Sequence, residues 1–141
     1  MKKLILLLVI GSLTYHPTHA QKASYVAMDI VKVKNGLWKE ALYFFENNWK
    51  LYREDAIKEG IISSYKLLVN KADSVNNNII LFTEYPDSLS YRKSEENFRP
   101  ILKKIHPNGP IYLNEKRRND FMETVVFNWY RVWTDDKEKR K

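Results

Sequence analysis

Cysteine is absent from this chain of 141 residues. No disulfide can staple it, and no thiolate can hold a metal or act as a nucleophile. The same absence rules out a lipid carried on cysteine. Histidine is scarce: of the three present, His16 and His19 lie near the N-terminus and only His106 lies deeper in the chain. A histidine-rich metal centre is therefore not expected, and neither is any cofactor. With four glycines there is no glycine-rich phosphate loop, and no Gly-x-Ser-x-Gly elbow occurs. Long hydrophobic runs are also missing. The one candidate, Leu4 to Leu13, is interrupted by Gly11 and Ser12 and falls well short of the ~20 residues a bilayer span needs.

That short run has another meaning. Lys2 and Lys3 precede it, and Thr18-His19-Ala20 follows with small residues at the −3 and −1 positions of a signal-peptidase site. Residues 1–20 are expected to be a signal peptide. The product is then exported, periplasmic or secreted, with no stable membrane anchor after cleavage. Residues 21–134 are expected to form one domain, since a chain of that length supports a single sizeable core. Residues 135–141 read as a charged, frayed tail in which Lys137, Lys139, Arg140 and Lys141 alternate with Asp135, Asp136 and Glu138. The whole chain carries a net charge of +7, but the charges are interspersed and no basic stripe marks a nucleic-acid partner.

The periodicity of the remaining chain predicts a simple order of elements. Ser24 to Lys34 is rich in β-branched and aromatic residues and reads as a strand ended by Asn35-Gly36. From Leu37 to about Glu59 the pattern becomes helical, with Trp38, Leu42, Phe45, Trp49, Tyr52 and Ala56 on one face. Gly60 is placed to close that helix in a left-handed conformation. Ile61 to Asn70 reads as a second strand, Lys71 to Asn78 as a hairpin loop, and Asn78 to Tyr85 as a third strand stopped by Pro86. Asp87 or Ser88 caps a second helix reaching Ile105, with a kink or break expected at Pro100. His106 to Pro110 is a breaker, a short helix is expected around Asn119 to Glu123, and Thr124 to Trp133 is the last strand.

The order β-α-β-β-α-β is the split βαβ arrangement of ferredoxin-like α+β folds, with an antiparallel sheet covered by both helices on one side. A sheet of that kind should be polar on its bare face. Here Val26, Met28 and Ile30 oppose Tyr25, Ala27 and Val31 on the first strand. Ile79 and Leu81 oppose Ile80 and Phe82 on the third, and Val126 and Tyr130 oppose Phe127 and Trp129 on the last. Both faces are apolar, which predicts a homodimer joined sheet to sheet. The alternative is that residues 106–122 fold back over the second face.

These features resemble the dimeric α+β barrel superfamily, which includes the antibiotic-biosynthesis-monooxygenase-like and NIPSNAP-like proteins. Lys32 to Gly36 lead into the aromatic first helix, Trp49 to Arg53 and Ala56 to Ser64 carry that helix into the second strand, and Phe127 to Val132 is similar to the closing strand. The resemblance implies a pocket between sheet and helices. Many oxygenase members carry a histidine early in the second helix, and haem-degrading members an asparagine in the first strand. This chain has Ser90-Tyr91-Arg92-Lys93 at the first place and Asp29 at the second, so neither residue carries over.

Three residues are candidates for acid–base chemistry. Asp29 and Glu84 are carboxylates within apolar strands, and enclosure would raise their pKa and suit proton transfer. Each can equally pair with Arg131, whose planar fork also suits an anionic ligand. His106 is the one candidate with an unperturbed pKa near neutrality, or a solvated partner of a helix C-terminus. Trp49, Tyr52 and Trp129 can wall a pocket or be plain core, and Arg53 can face the pocket mouth or stand in solvent. The expected function is binding of a small apolar or aromatic ligand. The alternatives are a cofactor-independent, monooxygenase-like enzyme or a module that meets a different chain.

Overall fold

The computed structural model describes residues 24–34, 36–70 and 78–132. The expected signal peptide, the charged tail, Trp133 and most of the loop before Asn78 lie outside those residues. Strands β1 (Tyr25–Val33), β2 (Ser64–Val69), β3 (Asn78–Tyr85) and β4 (Met122–Arg131) form one sheet in the order β2-β3-β1-β4. Every neighbouring pair is antiparallel. The fold is α+β, a four-stranded antiparallel sheet with several helices. Alternation is clearest on β3, where Ile79, Leu81, Thr83 and Tyr85 are buried and the residues between them are half-buried.

The first helical stretch is not uniform. Helix α1 (Trp38–Phe44) passes through a π-helical turn (Phe45–Trp49) into α2 (Lys50–Lys58), with helical backbone angles at both junctions. A π turn inserts one residue into the stripe that faces the core. From Phe45 to Ala56 the buried positions include those the sequence pattern marks. Before the turn the stripe is shifted, so Ala41 is buried while Trp38 and Leu42 are only half-buried. Two clusters fill the space between helices and sheet. One gathers Val31, Ala41, Phe45, Trp49, Ile79, Phe121 and Met122, and the other Ala27, Tyr52, Ala56, Ile62, Phe98 and Ile101.

Gly60 closes α2 as expected, with φ +69°. Gly60 N–H donates to the Ile57 carbonyl at 3.0 Å and Ile61 N–H to the Ala56 carbonyl at 2.9 Å, the paired bonds of a Schellman cap. No atom lies within 4 Å of where a Cβ would stand at Gly60, so only backbone strain opposes a side chain there. Gly60→Ala should therefore cost about 1 kcal/mol, measurable as a shift in the urea midpoint without a change in slope.

Pro100 does not interrupt the second helical region. Helix α3 (Ser88–Arg92) is capped by Asp87, whose carboxylate accepts from Ser90 N–H at 2.8 Å. The break falls instead at Lys93, and α4 (Ser94–Ile105) runs through Pro100. Pro100 and Glu96, whose carbonyl loses its helical donor, are both exposed, so water can satisfy that carbonyl. The second strand begins at Ser64, three residues later than expected, because the Schellman turn occupies Glu59 to Ile61. A short α5 (Arg118–Phe121) leads into β4.

Residues 106–117 are held against the helices. The Asn48 side chain, 1 % exposed, donates to the carbonyls of Phe44 and Ile111 at 2.9 Å each and accepts from Ile111 N–H at 2.8 Å. Tyr112 then packs against Phe44 and Phe121. This excludes the alternative in which residues 106–122 cover the second sheet face. Every helix of the described residues lies on the side of Ala27, Val31, Ile79 and Leu81. Val26, Met28, Ile30, Ile80, Phe82 and Val126 share the other side with Leu68 and Tyr130, and no described element lies over them.

Candidate functional site

On the two central strands the inner face of the sheet is apolar except at two positions. Asp29 interrupts the row Ala27, Val31, Val33 on β1, and Thr83 interrupts Ile79, Leu81, Tyr85 on β3. The register sets Thr83 opposite Ala27 and Leu81 opposite Asp29, so the two polar side chains are neighbours on one surface. Arg53 descends toward them from α2. It lies one turn after Trp49, and its guanidinium is held between the Trp49 ring at 4.7 Å and the Phe98 ring of α4 at 4.6 Å. Its Nε donates to Thr83 Oγ1 at 3.4 Å.

These groups border a cavity of about 400 Å³ between the sheet and α2, α3 and α4. Asp29, Arg53, Thr83 and Tyr85 form its base. Tyr91 and Phe127 form apolar walls, and Arg92 and Glu95 stand at the rim. The cavity reaches the surface beneath β4, where no helix of the described residues covers Phe127 and Trp129. Phe127 is 61 % exposed and Trp129 54 % exposed as a result. Tyr25, Tyr91 and Trp129 form an aromatic cluster beside the opening, with ring centroids 5.8 to 6.3 Å apart.

Burial dominates the electrostatics. Loss of water lowers the Arg53 pKa to about 10, against the opposing influence of Tyr85 and Asp29, and the side chain remains a cation at neutral pH. Burial raises the Asp29 carboxyl above its ordinary range, more than the positive charges of Arg53 and Arg118 lower it. Tyr85 is pushed up by burial too, with Arg53 and a hydrogen bond from Ser94 acting the other way. Among the described residues Arg53 has no carboxylate at ion-pair distance. The pairs present are Lys50–Glu54, Lys104–Asp55 and Lys104–Glu59.

A folded-state pKa above the unfolded value means that the fold prefers Asp29 protonated. Its contribution to stability is full below the ordinary carboxylate pKa and is lost as pH rises through the folded value. Asp29→Asn, neutral at every pH, should therefore melt higher than the parent protein at pH 7. The difference should close below about pH 4, and thermal melts at the two pH values check it.

The structure separates the other candidate residues. Glu84 lies on the outer face, where Ser64 Oγ donates to its carboxylate at 2.8 Å, so it cannot share the cavity with Asp29. Arg131 is exposed at the end of β4, in register with Tyr25, and forms no ion pair with either carboxylate. His106 follows α4 and is half-buried, its Nδ1 2.9 Å from the Tyr52 hydroxyl. Both lie away from the cavity lining, and burial raises the Tyr52 pKa. Trp49 is core, and its ring forms one side of the Arg53 slot. Arg53 is not the solvated side chain its helical position allows, since Trp49 and Phe98 hold it inside.

Thr83, Tyr85, Tyr91, Ser94 and Phe127 escape the sequence reading as site residues. Thr83 leaves a trace, a lone hydroxyl in an otherwise apolar alternate row. Tyr91 and Ser94 leave none, because the turn at Lys93 decides where they point. Among the described residues no group of three His, Asp or Glu side chains could hold a metal, and no helix is long and apolar enough to cross a membrane.

The chain matches no protein-family model and no curated protein. Among solved structures it is similar to a conserved protein from Methanosarcina mazei Go1 at 17 % identity. That likeness covers 79 % of this chain and 94 % of the other, with a TM-score of 0.47.

Proposed function

We propose that this chain is an exported, homodimeric α+β barrel protein of the ferredoxin-like type that binds a small apolar or aromatic compound between its sheet and helices. The observation that carries the reading is the cavity itself. Its volume of about 400 Å³ lies within the ~300–1,000 Å³ of small-molecule sites, and apolar walls with a few convergent polar groups are what such sites present. Phe127 and Tyr91 supply the walls, and Arg53, Asp29 and Thr83 the polar groups.

The strand order β2-β3-β1-β4, antiparallel throughout with helices on one face, supports the ferredoxin-like assignment. Export rests on Lys2-Lys3, the apolar run Leu4 to Leu13 and Thr18-His19-Ala20. Dimerisation rests on the outer sheet face, where eight apolar side chains from Val26 to Tyr130 adjoin without cover. A second copy placed by two-fold symmetry covers such a patch with its own identical patch.

A second reading is a cofactor-independent enzyme of the monooxygenase-like kind, and Asp29 is the observation that favours it. A carboxyl with a raised pKa, facing a cavity beside a cation, is equipped to exchange a proton with a bound compound. The experiment that tests the leading reading is a crystal structure of the exported protein soaked with small aromatic compounds, with its mass measured by light scattering. Density in the cavity and a dimeric mass are expected. A monomer whose cavity takes none of the compounds overturns the reading.

A further inference from the structure

We infer that the compound bound in this cavity is a small aromatic monocarboxylate, its carboxylate received by the Arg53 guanidinium and its ring by Phe127 and Tyr91. The inference rests on the cavity being a binding site and adds the chemical class of the occupant. Arg53 is the reason. A guanidinium enclosed by two aromatic rings has lost most of its hydration, and a charge in that position is normally matched by a carboxylate. Here the polar partner from the described residues is the Thr83 hydroxyl, a neutral acceptor at 3.4 Å.

The geometry leaves the guanidinium available to a ligand. The guanidinium carbon lies over the Trp49 and Phe98 rings, which accept no ordinary N–H hydrogen bond, and Arg53 is part of the cavity lining. A planar carboxylate suits a planar fork held this way, because two parallel N–H···O bonds can form. The charges of the lining favour a monoanion over a dianion. Arg53 and Arg92 are countered by Asp29 and Glu95, and a dianion such as a phosphate monoester would meet both carboxyl groups. Burial, which raises the Asp29 pKa, weakens the repulsion this carboxyl offers a bound carboxylate. The walls select the other end of the ligand. Phe127 and Tyr91 present rings to the cavity, and the volume is near the lower limit for drug-sized ligands, which suits a single ring.

The test compares two acids, benzoate and phenylacetate, with their neutral isosteres benzamide and phenylacetamide on the same protein. Binding is followed by nitrogen-edited NMR at the Arg53 Nε–H and by titration calorimetry. Each acid should bind at least about tenfold more tightly than its amide, and the Arg53 signal should move only with the acids. Arg53→Gln should abolish the difference. Arg53→Lys keeps the charge but not the fork, and should keep part of it. The comparison of acid with amide needs only the parent protein, so a variant that fails to fold leaves the test intact. Equal binding of acids and amides, or a preference that survives Arg53→Gln, overturns the carboxylate inference and leaves the cavity reading standing. Binding of neither series overturns both.

Discussion

Asn48→Ala is expected to destabilise the protein by about 3 kcal/mol, a fall in Tm on the order of 10 °C. Few side chains in the molecule are buried so completely while using every polar atom. The amide of Asn48 meets the Ile111 peptide as another peptide would, giving one hydrogen bond and accepting one, and gives a second to the Phe44 carbonyl. Truncation takes the partner from the Ile111 N–H and C=O at a place where the Asn48 side chain is itself buried, although the Ile111 side chain is exposed. Each group left without its partner costs about 1–3 kcal/mol. The segment it fastens also carries Tyr112, which packs on Phe44 and Phe121, so the loss reaches the core. Asn47 provides the control. It is half-buried and donates only to Tyr43 of its own helix, so Asn47→Ala should cost less than about 1 kcal/mol. Thermal and urea unfolding of the two variants side by side measure the difference, and equal losses would contradict this account of Asn48.

Met28→Lys is expected to leave the fold intact while weakening the proposed sheet-to-sheet self-association by at least about 100-fold. Met28 stands near the middle of the outer face, opposite Phe82 on one side and Asn128 on the other. In a free monomer the new ammonium reaches water at once, because Met28 is only half-buried and no described element lies over it. In a sheet-to-sheet dimer it is trapped, and two-fold symmetry brings a second ammonium into the same interface. An uncompensated buried charge costs several kcal/mol, enough for the stated effect. Light scattering over a concentration series gives the association constant, and circular dichroism shows whether the fold survives. A parent protein already monomeric at high concentration would remove the basis of this prediction. So would a variant that stays dimeric with unchanged affinity.

Much of the architecture was legible in the residues. The four strands follow β-branched and aromatic runs, and Gly60 marks a helix end because a left-handed cap favours glycine. The apolar character of both sheet faces was also readable, since alternation on a strand assigns each residue to a face whatever lies beyond it. The details that failed depend on longer-range partners. The π turn at Phe45–Trp49 coincides with the place where Asn48 must meet Ile111, 63 positions later in the chain, and no local periodicity reports that. Pro100 signals a break, but the break fell at Lys93, because an exposed carbonyl can be satisfied by water.

The site was less legible than the fold. Asp29, Arg53 and Glu84 all stood out as charged residues among apolar neighbours, yet they have different fates. Parity on antiparallel strands puts Glu84 on the face opposite Asp29, which follows from register. Arg53 became a cavity residue because Phe98, 45 positions away in the sequence, sets a second ring beside its guanidinium.

By itself the amino-acid sequence determined the strand and helix order, the lack of any thiol chemistry, and the two-sided apolar sheet. Those properties depend on residue type and local spacing, which a chain carries before it folds. Only the tertiary structure decided which charges lose their water, where residues 106–117 lie, and that one guanidinium sits at the base of a cavity with no carboxylate of the described residues at ion-pair distance. Desolvation and pairing are properties of what surrounds a group, and those surroundings are assembled from distant parts of the chain.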